Sequence, residues 1–256
     1  MAPHTFHLLS VSPTAEESVI KTLWSHTPKP VTIGKAHYFL SSSHLSSTLA
    51  NRPSTHTSPF NLVAILPGTS TPLPSSVSTH ITSIWSLTAD IDEQWTINYA
   101  AKNSSLLHAN KSSIVPFPLE PEIPKKEDEE EVEFPLTPTL RTFLSTFSHQ
   151  YSGPVTMFNF LSFHEGMFPQ YQKYMADFME ILGPKYGCEP RLVGPLVKID
   201  GEEGGEKWDM VGWIHYPGAA SFGRMLEDEK YKVLDRKYKK GVVRDNPILL
   251  IVELEE

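Results

Sequence analysis

The sequence predicts an α+β protein in which two tandem β-α-β-β-α-β units close into one barrel with an apolar interior cavity. Three observations carry that expectation. Residues 154–253 run strand, helix, strand, strand, helix, strand. The first half repeats the order in diverged form, with residues 60–68 laid over 210–218 so that Pro67-Gly68 matches Pro217-Gly218. The third strand of the second half is apolar at both parities, with Met210, Ile214 and Tyr216 on one side and Val211 and Trp213 on the other. Such a strand belongs in a sheet covered on both faces, by helices on one and by a second sheet on the other.

In the first half, residues 6–11 read as a strand matching 158–163, so that His7 stands opposite Asn159. Residues 14–24 read as a helix. Thr14 takes the N-cap with Glu17 three residues on, the pattern in which two side chains satisfy the free amides of a helix start. Residues 31–40 and 60–67 supply the next two strands. The Ser-, Thr- and His-rich stretches 41–59 and 69–78 are loops. A helix is expected from 81 to about 108 and a closing strand over 113–117.

Proline at 116, 118, 121, 124, 135 and 138, together with the run Glu127-Asp128-Glu129-Glu130-Glu131, marks a solvated connection. Proline removes backbone donors and like charges repel. The chain therefore divides into a diverged half (1–118), an acidic Pro-rich linker (119–137) and a second half (138–256).

The second half is firmer. Val155–Phe163 is an apolar run of strand length. Phe168, Tyr171, Tyr174, Met175, Phe178 and Leu182 recur at helical spacing, with Pro169 suited to the first turn and a stop at Gly183-Pro184 or Gly187. Strands over 191–199 and 208–216 flank a turn at 200–205. Phe222, Met225, Leu226, Tyr231 and Leu234 mark a second helix, irregular near Asp228, before a last strand over 247–254.

Composition narrows the function classes. At 256 residues, 39% hydrophobic and 20% charged, the chain reads as globular. A net charge of -8 argues against a nucleic-acid partner, which needs clustered cations to displace counterions. The single cysteine, Cys188, rules out an intrachain disulfide and fits a reducing compartment. With no secretory leader pattern and no apolar run near the ~18 residues of a membrane span, the expectation is a cytoplasmic protein without membrane contact.

Residues 154–163, Pro-Val-Thr-Met-Phe-Asn-Phe-Leu-Ser-Phe, resemble the opening strand of an uncharacterised family in the dimeric α+β-barrel superfamily. The resemblance continues through Tyr171-x-x-Tyr174, Trp208-Asp209, Tyr216-Pro217, Tyr231, Arg236, Gly241 and the strand at 248–252. It covers about the last hundred residues, while the first half shares only the element order. It implies ferredoxin-like halves paired around a cavity, here fused in one chain, hence a monomer. The superfamily includes cofactor-free monooxygenases, polyketide cyclases, stress-responsive barrels, isomerases and haem enzymes, so the fold does not select the chemistry.

Candidate residues follow from local reasoning. Asn159 and His7 are polar groups within apolar strands. They either point into the barrel towards a ligand or are core groups satisfied by neighbours. His215, beside Tyr216, is a candidate general base, or else a solvated strand end; the matching first-half position is Ile65. Arg236 and Tyr238 could grip a carboxylate or phenolate, although the charged tract around them reads more simply as a solvated helix face. Tyr174 and Tyr171 sit at core spacing. Tyr174 is taken as a substrate contact, as is Trp213, which with Trp208 forms core or cavity wall.

No His-Glu-x-x-His occurs and Cys188 lacks a second thiol, so no metal site is expected. A haem would need an axial histidine facing the cavity. Residues 201–205 carry two carboxylates and no Lys-Ser/Thr, which makes them a turn and not a phosphate loop. The leading expectation is a cofactor-independent enzyme transferring protons on a hydrophobic aromatic or polyketide-like molecule. His215 would be the base, with Asn159, Tyr216 and His7 orienting the substrate. The competing classes are a non-catalytic small-molecule-binding or stress-response barrel, and an interaction module using the acidic linker.

Overall fold

The computed structural model describes residues 1–40, 60–69, 72–109, 115–120, 132–199 and 208–256. The loop expected at 41–59, the acidic run at 127–131 and the turn at 200–205 lie outside the described residues.

The first half contains β1 (Ala2–Val11), α1 (Glu16–Trp24), β2 (Thr32–Leu40), β3 (Leu62–Pro67), the single turn α2 (Ser75–Ser78) and β4 (Ile81–Ile91). Two short helices follow, α3 (Glu93–Thr96) and α4 (Tyr99–Leu107). The second half contains α5 (Pro138–Gln150), β5 (Val155–Phe163), α6 (Phe168–Ile181), α7 (Gly183–Tyr186), β6 (Glu189–Ile199), β7 (Met210–Tyr216), α8 (Ala219–Glu227), α9 (Glu229–Tyr238), β8 (Val243–Asp245) and β9 (Ile248–Glu253).

Pairing runs β7-β6-β4-β1-β3-β2-β9-β5, and β5 also pairs with β7, closing an eight-stranded antiparallel ring. Within each half the spatial order is the same: β4-β1-β3-β2, and β9-β5-β7-β6. The halves join where the second strand of one meets the fourth strand of the other, β2 with β9 and β4 with β6. Each seam carries a glycine on that second strand. A Cβ at Gly34 would lie 2.3 Å from Ile251 Cγ2, and one at Gly194 would lie 2.1 Å from the Asp90 carbonyl oxygen. This twofold correspondence of strand order, joints and glycines is the fold expected from the duplicated element order.

Three first-half expectations are corrected. Residues 81–91 form strand β4 and no helix, because Trp85, Leu87, Ala89 and Ile91 alternate with Ser86, Thr88 and Asp90 and both edges are paired, to β1 and β6. With β4 as the fourth strand, nothing is left for 113–117 to close. Its described part has no strand, and Phe117 is fully buried under Gly223 of α8. The capping box at Thr14 is also absent. The helix starts at Glu16 with Ala15 at its cap, Thr14 bonds Ser12, and Glu17 pairs with Lys21 one turn on.

The second half follows its expected elements. α6 carries proline in its first turn and buries Tyr171, Tyr174 and Phe178, while Gly187 ends α7 at φ 63°. Asp228 breaks the second helix in two, its carboxylate accepting from the Lys230 amide at 2.8 Å to cap α9. α5 was not foreseen. Thr137 caps it, and its Phe143 stacks on Tyr38 of β2 at 4.0 Å, so that it covers the β2–β9 seam.

The barrel axis is packed with rings and not empty as expected. Phe6 of β1 stacks on Phe158 of β5 at 5.3 Å, and Phe158 meets Phe160 at 4.3 Å and Trp213 at 5.1 Å. All four are 0% exposed. Each contributes roughly 1.5–3 kcal/mol by leaving water.

Candidate functional site

Polar groups gather at two places, on opposite faces of β5 and β7. The first is the barrel mouth formed by the start of β2 and β6 and the end of β7 and β9. Here the Glu253 carboxylate, 6% exposed, accepts four hydrogen bonds: from Thr32 (2.8 Å), Tyr99 (2.8 Å), Thr156 (2.7 Å) and the Trp213 indole (3.0 Å). A buried carboxylate is tolerable with that many donors. Tyr99 comes from α4, and the Arg191 guanidinium lies over its ring at 4.8 Å. His215 belongs to this mouth, opposite Thr156 and Glu189 in the ladder. Burial, with Arg191 nearby adding to it, lowers its pKa to about 4.

The second place is a cavity of about 130 Å³ between the outer face of the second sheet and helices α6, α8 and α9. Five thioethers line it, Met157, Met175, Met179, Met210 and Met225, with Phe178, Phe222 and the phenols of Tyr171, Tyr174, Tyr216 and Tyr231. Phe134, from the stretch expected as solvated linker, completes the wall at 6% exposure.

At the cavity's edge Lys239 and Asp235 form a buried pair at 3.0 Å. The ammonium lies 5.5–5.9 Å from the ring centres of Phe134, Tyr174 and Tyr231. Asp235 also accepts from the Glu133 amide (2.6 Å) and the Tyr231 hydroxyl (3.1 Å). The Cys188 thiol is 3.9 Å from Met179 Sδ, and burial pushes its pKa up to about 11. Burial likewise raises Tyr171, Tyr174, Tyr216 and Tyr231 above the ordinary phenol value. At neutral pH these groups are donors and not bases.

The expected site residues therefore separate. Asn159, Tyr216 and Tyr174 line the outer cavity; His215 and Trp213 face the barrel. Successive strand residues point to opposite faces, so adjacent His215 and Tyr216 cannot converge. Asn159 does not point into the barrel. It shares its face with Met157 and Leu161, and its amide is held by the Met157 carbonyl (2.9 Å), the Gly212 carbonyl (3.4 Å) and Asn246 (3.3 Å). His7 also lies on the outer face, that of the first sheet, with Nδ1 2.7 Å from Ser86 Oγ. Arg236 sits half-buried on α9 and does not line the cavity; Tyr238 donates to Asp177 at 2.6 Å.

Sequence reasoning missed Glu253, Arg191, Lys239 and the ring of methionines. Glu253 had a signal: it ends the apolar run of β9, where a lone carboxylate implies partners. Among the described residues no cluster of three His, Cys, Asp or Glu is placed to hold a metal, and no helix is long and apolar enough to cross a membrane.

No family model matches the chain, and no curated protein matches it significantly. Solved structures do. A protein of unknown function from Rhodopseudomonas palustris is 21% identical over 48% of this chain and 96% of its own, with a TM-score of 0.37. A protein provisionally described as a monooxygenase from Lactobacillus acidophilus is 9% identical over 99% of this chain and 94% of its own, at 0.47. An anthrone oxidase-like protein is 9% identical over 99% and 92%, at 0.39.

Proposed function

We propose that the chain binds a small hydrophobic molecule, about one ring in size, in the outer cavity of the second half. The observation that carries this reading is the cavity's wall, which is mainly thioether, aromatic and aliphatic, with four phenols, Asn159, Asn246, Cys188 and Lys239 as its polar points. Its volume of about 130 Å³ is close to the ~150 Å³ at which an apolar protein cavity takes benzene. Thioethers are flexible and polarisable, so the wall can close around rings of differing outline.

The binding reading is favoured over proton transfer by the chemistry of the lining. The thiol and phenols hold their protons, no histidine lines the cavity among the described residues, and Asp235 is committed to Lys239, Tyr231 and Glu133. His215 would serve only a substrate on the barrel side of β7, where Trp213 and Phe158 fill the space. Titrating the protein with toluene while following its methionine methyl resonances tests the proposal. Saturable shifts of the cavity methyls, abolished by filling the space with Met225→Trp, are expected. An unchanged spectrum at millimolar toluene would overturn it.

A further inference from the structure

Two phenols in this cavity have no hydrogen-bond acceptor among the described residues. Tyr171 and Tyr174 stand one turn apart on α6, their ring centres 5.4 Å from each other, 7% and 8% exposed. Among the described residues neither hydroxyl has a hydrogen-bond partner, whereas Tyr231 donates to Asp235 and Tyr216 is engaged with Cys188. Neither hydroxyl is fully enclosed: both rings line the cavity, and a donor that opens onto it is satisfied by whatever occupies the space. The acceptor they lack is one that a bound molecule supplies.

The charge of that acceptor is set by its surroundings. Among the described residues the one ammonium that lines the cavity, Lys239, is already paired with Asp235 at 3.0 Å. An anionic ligand would lose its hydration with no free cation among the described lining residues to offset that, because Lys239 is committed to Asp235 behind the wall. A neutral oxygen avoids that cost.

Resting on the binding reading above, we infer that the ligand is a neutral monocyclic carbonyl compound whose oxygen accepts hydrogen bonds from Tyr171 and Tyr174. The ring lies among the methionines and the carbonyl points to α6. Specificity then comes from the two phenols, since a site built to donate rejects analogues lacking the acceptor far more strongly than it rejects a small change of ring outline.

Cyclohexanone, cyclohexane and cyclohexanecarboxylate are the probes, used with the wild-type chain and with the Tyr171→Phe/Tyr174→Phe double variant. The expected result is a downshifted carbonyl stretch for bound cyclohexanone in infrared difference spectra. The double variant should bind cyclohexanone at least tenfold more weakly and cyclohexane within twofold of wild type. Equal cyclohexanone affinity in both proteins, with cyclohexane still bound, overturns the carbonyl assignment and leaves the cavity reading standing. Tighter binding of cyclohexanecarboxylate than of cyclohexanone overturns the neutrality argument. If no ring binds the wild-type protein, both readings fail. The infrared shift is read on wild type, so an unfolded variant does not blunt the test.

Discussion

The two faces of β5 and β7 are built on opposite rules. Towards the barrel, Phe158, Phe160 and Trp213 lock against Phe6, and the one charged group on β9 is held by four donors. Towards the helices, the same strands present Met157, Asn159, Met210 and Tyr216 to a cavity walled by flexible thioethers. One face is filled by rings and its carboxylate is satisfied, although Trp208 Nε1 and the Arg191 guanidinium find no hydrogen-bond partner among the described residues. The other keeps space and unspent donors. Two faces of one strand can thus be specialised separately, because alternate side chains never share a neighbourhood.

The contrast can be broken most forcefully at Glu253. Replacing it with Leu strands four buried donors, and a loss on the order of 4 kcal/mol is expected, read as a fall of ~10 °C in thermal unfolding. A loss below ~1 kcal/mol would mean that the barrel face is as forgiving as the cavity. His215 gives a smaller effect with a definite sign. Its folded pKa of about 4 lies below the ordinary 6.5, so the unfolded chain takes up the proton first. Its contribution is complete above pH 6.5 and is lost as pH falls to about 4, on the order of 3 kcal/mol in all. Unfolding midpoints of wild type and His215→Phe should converge over that interval, and parallel curves would refute the assignment. The smallest change belongs to the cavity face, where Met225→Leu should cost under ~1.5 kcal/mol because the space can repack. A denaturant midpoint shift matching that of Glu253→Leu would erase the distinction between the faces.

How much of this could be read beforehand differs by region. The second half was legible because its periodicities are clean: Val155–Phe163 is a strand with those bounds, and Asp228 divides the helix where the pattern faltered. The first half misled at β4. Its order demanded a second helix, and the structure keeps only the single turn Ser75–Ser78 there, so the alternating run after it was read as the missing helix. The site was less legible than the fold. A strand apolar at both parities does not reveal which face is which, and so the directions of Asn159 and His7 were undetermined. Nor does local sequence show that Phe134, beyond an acidic run, returns to wall a cavity built in part by residues more than a hundred positions away.

The joints between the halves bear on how the chain is made. β9 lies between β5 and β2, so the ring closes only after residues 248–253 have been synthesised. A nascent first half, folded early at the ribosome, presents two bare sheet edges, β2 and β4, which are templates for any extended segment nearby. Its proper partners come later: β6 begins 98 residues after β4 ends, and β9 begins 208 residues after β2 ends. That interval is when this protein is most open to mispairing, and the risk rises with any slowing of translation through the second half.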